Sequence, residues 1–305
     1  MKNPFSLPYG RPSMLKAMRL CSILFVLGLF SPQAEQKSAQ TKFERPIMVD
    51  SNGPGSELYV LDTWGTLHEL RVTKDSLEEL RNFPLPSTFT AADMAYSPVG
   101  GQESVLIAGT QAGRGIVARY ALDGRELQTW TFRNICSGID FDAASHTAYV
   151  AMSDSNEIYR LDLQGTESTY VTRIPNATKL GPLAFDEGSQ KIYVADVALG
   201  SIYEYSMVTK RSKVLVSDLS TPTALSFYPE VGRLYIADPG RRAVFTVDTR
   251  SSKPRATEFV SSPLKSPYGM ALILSDRMAV ADYGASSVLV FSSKGTLLFR
   301  FPPKD

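Results

Sequence analysis

The sequence repeats one short phrase, Lys191-Ile-Tyr-Val-Ala-Asp196, which returns as Arg233-Leu-Tyr-Ile-Ala-Asp238. Four more stretches have the same apolar form: Leu58-Tyr-Val-Leu-Asp62, Val105-Leu-Ile-Ala-Gly109, Ala148-Tyr-Val-Ala-Met152 and Met278-Ala-Val-Ala-Asp282. The last residues of the six copies are 47, 43, 44, 42 and 44 positions apart. A near-constant period of this size is typical of the four-stranded blade of a β-propeller.

Each copy is accompanied by three further strand patterns at fixed offsets. A short strand with small side chains precedes it, as in Gly138-Ile-Asp-Phe141, and an alternating strand follows it, as in Ser201-Ile-Tyr-Glu-Tyr205. A hairpin turn and a more polar strand such as Ser76-Leu-Glu-Glu-Leu80 complete the unit. The sequence therefore predicts an all-β fold, a six-bladed β-propeller with four antiparallel strands per blade, over residues 43–305. A five-bladed or open arrangement is the alternative.

The N-terminal segment has the features of a signal peptide. Residues 1–34 contain four basic residues and no acidic one, and an apolar run of 11 residues extends from Leu20 to Phe30. This run is too short to span a bilayer and suits the core of a signal peptide, with Ser31-Pro-Gln-Ala34 as the cleavage motif. We expect a secreted or periplasmic protein with residues 35–42 as a linker. Two alternatives are a start at Met14 and an uncleaved membrane anchor.

Charge and cysteine content exclude some functions. The chain has 32 basic and 31 acidic residues, and loss of the signal peptide would leave 28 basic against 31 acidic. A mature chain without basic excess is a poor nucleic-acid binder. Cys21 would leave with the signal peptide, so Cys136 would stand alone and could form no intramolecular disulfide. Its position beside an apolar strand predicts a buried, unreactive thiol.

Acidic and histidine side chains do not form a recognisable catalytic motif. Asp62, Asp196, Asp238 and Asp282 recur once per blade, which favours a structural role in capping the following turn over metal binding. The two histidines, His68 and His146, accompany no nucleophile motif.

The chain resembles the six-bladed NHL, YWTD and SMP-30/gluconolactonase-like propellers. The resemblance rests on residues 191–206, 233–248 and 277–291, and on Ser266-Pro-Tyr-Gly-Met270, which is NHL-like. It implies the fold over nearly the whole mature chain, and the fold hosts binding proteins, scaffolds and enzymes.

Resemblance to the SMP-30-like enzymes implies a divalent metal, calcium or zinc, held at the end of the central channel. Glu44 matches the family's glutamate at the first blade. The family's Pro-Asn-Gly is Pro222-Thr223-Ala224 here, and Tyr268 stands where the family has aspartate. One carboxylate is left, which disfavours a tight metal site. A metal-dependent lactone or ester hydrolase is therefore the alternative interpretation and not the preferred one.

The preferred interpretation is an exported binding or scaffold module without chemistry of its own and without a cofactor. In propellers, the loops between second and third strands share a face with the loops between blades. Irregular loop residues on a regular scaffold are where binding usually occurs. The predicted binding residues are Arg114, Asn134, Asp154, Lys179, Arg241, Tyr268 and Tyr283, with Asn156, Thr223 and Arg242 beside them. The expected partner of this monomer is a protein, peptide or glycan, and a structural role in an envelope assembly is a third possibility.

Overall fold

The computed structural model describes residues 44–53, 56–273 and 276–302. In these ranges the chain forms six four-stranded antiparallel sheets and one short 3-10 turn, Tyr283–Ala285. The predicted signal peptide and linker lie outside the described residues. Within the described ranges, no helix has the length and hydropathy needed to cross a membrane.

Each sheet is one blade, and its four strands are consecutive in the chain and in the sheet. The first three blades consist of β1 (Pro46–Ser51), β2 (Glu57–Asp62), β3 (Thr66–Val72) and β4 (Leu77–Pro84); β5 (Phe89–Tyr96), β6 (Ser104–Gln111), β7 (Arg114–Ala121) and β8 (Glu126–Phe132); and β9 (Cys136–Asp142), β10 (Thr147–Met152), β11 (Glu157–Asp162) and β12 (Ser168–Arg173).

The last three blades repeat this order. They consist of β13 (Leu180–Asp186), β14 (Lys191–Asp196), β15 (Ser201–Ser206) and β16 (Arg211–Val216); β17 (Ala224–Tyr228), β18 (Arg233–Asp238), β19 (Ala243–Asp248) and β20 (Thr257–Val260); and β21 (Pro267–Ile273), β22 (Arg277–Asp282), β23 (Ser287–Ser292) and β24 (Leu297–Phe301). The predicted fold class is confirmed.

The repeated phrase forms the second strand of each blade because that strand is covered on both faces by the neighbouring blades. In β14, for example, Ile192 to Asp196 are all buried, and Tyr193 pairs with Ala184 on one side and Glu204 on the other. The outermost strands have one free edge and are largely exposed, as in β12. Burial on both faces removes the alternation of polar and apolar residues that a half-exposed strand would show.

Six apolar clusters hold the ring together, one at each contact between adjacent blades. The cluster that closes the ring packs Val49 and Leu58 of the first blade against Ala271 and Ala281 of the sixth. Gly269 permits this contact, because a Cβ there would lie 2.8 Å from the Met48 Cα. The ring is thus closed and six-bladed. In the described residues it closes by packing, since no strand is exchanged between the first and last sheets.

Candidate functional site

The loops between second and third strands and the loops between blades form one face of the propeller, which we call the upper face. The opposite face, with the remaining loops, is the lower face. All seven predicted binding residues lie in upper-face loops or at the strand ends that border them: Arg114, Asn134, Asp154, Lys179, Arg241, Tyr268 and Tyr283. The structure thus groups these residues on one face, while their role in binding stays a prediction.

Buried aspartates fix the upper-face loops in place. Asp196 accepts hydrogen bonds from the backbone N–H groups of Ala198 and Leu199 in its own turn, both at 3.0 Å. It also accepts bonds from Thr178 and Lys179, at 2.5 and 3.3 Å, in the loop that leads into its blade. One carboxylate therefore ties two loops together, and the predicted capping role is confirmed and extended.

The same arrangement recurs in the next two blades. Asp238 bonds the Ser220 and Thr221 N–H groups at 2.7 and 3.0 Å, and Asp282 bonds those of Lys265 and Ser266 at 2.7 and 2.8 Å. These carboxylates use their oxygens on backbone donors, which is the reason that an aspartate recurs at the end of this strand.

Asp62 has an additional partner. Its Oδ1 accepts from the Trp64 and Thr66 N–H groups at 2.9 Å, while its Oδ2 lies 3.2 Å from His68 Nε2. His68 is fully buried, and its Nδ1 lies 2.7 Å from Glu79 Oε1. Burial lowers the pKa of His68, but the two carboxylates outweigh it and raise the pKa above 6.5. His68 thus links the second, third and fourth strands of the first blade.

A cavity of ≈ 430 Å³ occupies the upper part of the central channel. Lys179, Thr223 and Tyr268 line it towards the upper face, and Asp93 lines its wall. Its lower lining includes two residues, Asp50 and Asp140, that also line a cavity of ≈ 380 Å³ towards the lower face.

Three channel aspartates link adjacent blades through their inner strands. Asp50 Oδ2 accepts from Tyr96 N–H at 2.5 Å, Asp93 Oδ2 from Ile139 N–H at 2.9 Å, and Asp140 Oδ2 from Phe185 N–H at 2.7 Å. Blades one to four are thereby joined in sequence. The hydrogen bonds direct these carboxylates towards the next blade.

Burial in the channel wall strongly perturbs these carboxyl groups. It raises the pKa of Asp50 to about 6 and that of Asp140 to about 7, and the accepted backbone hydrogen bonds offset only part of the effect. Burial also raises the pKa of Asp93 well above 3.8, with a smaller contribution from the charges of Asp140 and Asp50. Asp50 and Asp140 therefore titrate nearer to neutral pH than ordinary surface aspartates do.

The described residues contain no group of three or more His, Cys, Asp or Glu side chains placed to hold a metal ion. Glu44, which precedes β1, is not among the residues that line the channel cavity. Cys136 is buried with its Sγ 3.8 Å from Met152 Sδ, and burial raises its pKa to about 12. The predicted burial of this thiol is confirmed, and the raised pKa disfavours the thiolate, which is the nucleophilic form of cysteine.

An aromatic cluster with one arginine lies on the upper face where the sixth blade meets the first. The ring centroids of Tyr268 and Tyr283 are 5.4 Å apart. Arg45 Nη1 donates to Tyr283 Oη at 2.9 Å, and its guanidinium carbon lies 5.1 Å from the Tyr283 ring centroid. The Arg45 carbonyl accepts from Thr63 N–H at 3.1 Å, which places the loop bearing Trp64 beside it. Trp64 is 74% exposed. We call Arg45, Trp64, Tyr268 and Tyr283 the aromatic cluster.

The remaining predicted residues are spread around the ring. Asp154 Oδ1 accepts from Ile135 N–H at 3.0 Å, and Asn134 Nδ2 lies 3.5 Å from Glu157 Oε2. Arg241 donates to the Asp218 carbonyl, with its guanidinium carbon 5.5 Å from the Phe245 ring centroid. Arg114 is exposed at the start of β7. Of the predicted set, Lys179 and Tyr268 line the channel cavity.

The two faces differ in charge. In the part of the chain that the structure describes, upper-face loops and their bordering residues carry eight exposed basic side chains against two exposed acidic ones, Asp154 and Asp218. The basic residues are Arg45, Arg114, Arg133, Arg173, Lys179, Arg241, Arg242 and Lys265. By the same criterion the described lower face carries nine basic and ten acidic side chains. The basic excess is therefore confined to the upper face.

Sequence reasoning missed Arg45, Trp64 and the channel aspartates as functional candidates. A tryptophan two residues after the aspartate that ends a repeated strand was a usable signal, because such a turn is exposed. The alignment of Asp50 and Asp140 was also visible within the repeat. Asp93 was not, because it stands two residues earlier in its strand than Asp50 and Asp140 do in theirs, at the position that Met48 and Gly138 hold in the first and third blades.

Comparisons with known proteins show the fold. No family model matches the chain, and no curated protein matches it. A chain in the crystal structure of a nidogen/laminin complex is similar with a TM-score of 0.65 and 17% identity, over 78% of this chain and 90% of that chain.

Two bacterial proteins of unknown function are also similar. One, from Bacteroides thetaiotaomicron, has a TM-score of 0.63 and 13% identity over 82% of this chain and 70% of its own. The other, from Desulfotomaculum acetoxidans, has a TM-score of 0.59 and 14% identity over 84% and 85%. The chain is thus a six-bladed β-propeller, and its assignment to the NHL, YWTD or SMP-30-like type stays a prediction.

Proposed function

We propose that this chain is a binding module that docks a protein partner on its upper face, around the channel mouth. The proposed binding needs no cofactor and involves no chemistry. The observation that supports it most directly is the aromatic cluster, in which Arg45 contacts Tyr283 and the loop bonded to the Arg45 carbonyl carries Trp64, which is 74% exposed. Tryptophan, tyrosine and arginine are the residues that dominate binding energy at protein interfaces.

The rigidity of the upper face favours docking without rearrangement. Buried aspartates accept hydrogen bonds from the backbone of each of the loops that carry Lys179, Arg241 and Tyr283. Loops fixed in this way lose little conformational entropy when a partner binds. Among similar folds, the nidogen/laminin complex contains a propeller in a protein complex, which supports the general capacity of the fold.

The proposal is tested by photocrosslinking from matched positions. A photoreactive residue is placed at Trp64 on the upper face or at Val208 on the lower face, each 74% exposed in the native chain. Incubated with extract or culture medium of the source, position 64 is expected to give a discrete protein adduct, and position 208 is not.

Binding of the crosslinked partner is then measured for two truncations. Trp64→Ala should weaken it at least about tenfold, as expected of an interface hot spot, and Val208→Ala should leave it unchanged. Equal adducts from both positions, or none from position 64, would contradict docking on the upper face.

We also propose that the protein is exported, on the basis of the basic and apolar pattern of residues 1–34. Fractionation and N-terminal sequencing of the mature protein test this. Recovery outside the cytoplasm with a new N-terminus near Glu35 is the expected result. An intact N-terminus in the membrane fraction would instead support the anchored form.

A further inference from the structure

Five of the eight exposed basic side chains of the described upper face follow one arc of the ring, and the other three, Arg114, Arg133 and Arg173, lie on the second and third blades or between them. The arc extends from Lys179, before the fourth blade, through Arg241 and Arg242 of the fifth and Lys265 before the sixth, to Arg45 at the first. Asp218 is the exposed acidic side chain within the described loops of this arc. A charged surface of this kind selects a partner of opposite charge and steers its approach.

Exposed apolar side chains lie along the same arc. Leu199 of the fourth blade is 51% exposed, Tyr268 at the channel mouth is 39% exposed, and Trp64 ends the arc. Three of the five basic residues of the arc are arginines, whose planar guanidinium groups bind carboxylates with two parallel hydrogen bonds. Aliphatic and aromatic contacts beside such groups suit a chain in which acidic and apolar side chains alternate.

We infer that the upper face binds an acidic protein segment that carries apolar side chains and lies along this arc, from Leu199 to Trp64. This inference rests on the proposed protein-binding function and adds the chemistry of the partner. A sulfated glycan would use the basic residues, and its sugar rings could stack on Trp64, but it would leave the aliphatic Leu199 without an apolar partner. The acidic segment is therefore the occupant that uses both kinds of side chain.

Two adjacent basic pairs provide a matched test of the charge. Arg241 and Arg242 lie on the arc, whereas Lys210 and Arg211 are exposed on the lower face, at the turn that leads into β16. Arg242 and Lys210 even share a left-handed backbone, with φ of 54° and 58°. The backbone setting is alike, but Arg241 also donates to the Asp218 carbonyl, so the double variants Arg241→Glu/Arg242→Glu and Lys210→Glu/Arg211→Glu must first melt at the same temperature before their binding is compared.

The probes are three fluorescein-labelled molecules of similar length: an (Asp-Glu-Leu) repeat peptide, a (Lys-Lys-Leu) repeat peptide and a heparin oligosaccharide. Anisotropy is measured with the full chain at low and at physiological salt. We expect the acidic peptide alone to bind, and its affinity to fall about tenfold with added salt because exposed charges are screened. The Arg241/Arg242 variant should weaken binding at least tenfold, and the Lys210/Arg211 variant should not.

Three results would overturn the inference. Heparin binding that depends on Arg241 and Arg242, without peptide binding, would assign the arc to an anionic glycan. Equal losses in both double variants would indicate unspecific charge attraction. Failure of all three probes, while position 64 still crosslinks a partner, would remove the acidic segment and leave the proposed function intact. Failure of both assays would remove both proposals.

Discussion

The channel aspartates should make the stability of this protein depend on pH. Unfolded aspartate titrates near 3.8, whereas burial raises the pKa of folded Asp50 to about 6 and of Asp140 to about 7. Between these values the folded chain holds more protons than the unfolded chain, so the free energy of unfolding falls as pH rises. We expect the melting temperature to drop by at least about 5 °C between pH 5 and pH 8.

The double variant Asp50→Asn/Asp140→Asn tests this origin. Asparagine keeps an oxygen that can accept the Tyr96 and Phe185 N–H bonds but does not titrate. The melting temperature of the double variant should vary less with pH than that of the native chain. His68 would still contribute stability that is lost as pH rises above 6.5, through its raised folded pKa. An unchanged pH profile in the double variant would show that these two carboxyls are not its source.

Glu44 allows a direct test of the metal-dependent alternative. The described residues contain no cluster of three or more His, Cys, Asp or Glu side chains placed to hold a metal, and the upper-face aspartates accept hydrogen bonds from backbone N–H groups. We therefore expect calcium and zinc at millimolar concentration to leave the melting temperature unchanged, since only a bound ligand shifts it. A saturable rise that disappears in Glu44→Ala would instead support the hydrolase interpretation.

At the scale of the strands, the close approach of β1 and β21 makes Gly269 essential for closing the ring. A Cβ at this position would lie 2.8 Å from the Met48 Cα and 2.9 Å from the Ile47 carbonyl oxygen, both backbone atoms that cannot turn aside. Gly269→Ala should therefore destabilise the protein by about 1–3 kcal/mol in thermal or denaturant unfolding.

Gly188 is the control for this change, because a Cβ there would meet only Asp186 Oδ1 at 3.5 Å. Gly188→Ala should therefore change the free energy of unfolding little. Equal free energies of unfolding for the two variants would contradict this prediction, because they would show that a Cβ fits between β1 and β21.

The repeated strands were predictable because their pattern has a local cause. Tyr193 and its equivalents recur since every second strand meets the same neighbours, and the turn-capping role of Asp196 follows from its place after such a strand. The aromatic cluster was not predictable in the same way. Arg45 and Tyr283 are separated by 238 positions, and only closure of the ring brings them together.

At the scale of the whole molecule, the ring should tolerate new chain ends between any two blades. Each sheet is a contiguous part of the chain, so a permuted chain that starts near Asn176 would still contain six complete sheets. A linker as long as the natural inter-blade loops would join Phe301 to the segment before Pro46. We expect this permutant to melt within a few degrees of the native chain.

The control permutant opens at Leu199, inside the fourth blade, where the new ends separate β14 from β15. This blade would then depend on strands from both ends of the chain. The control permutant should therefore melt at a clearly lower temperature than the permutant that starts near Asn176. Equal stability of the two permutants would show that the blade is not the unit of cooperativity.

Closure by packing also has a consequence for the order in which the protein is made. Because no described strand waits for a distant partner, each blade can complete its sheet as it emerges during synthesis. The apolar cluster that contains Val49 and Leu58 cannot form so early, because its other half belongs to the sixth blade. A nascent chain with five blades would therefore present one uncovered apolar side at each end, and emergence of the last blade covers both at once.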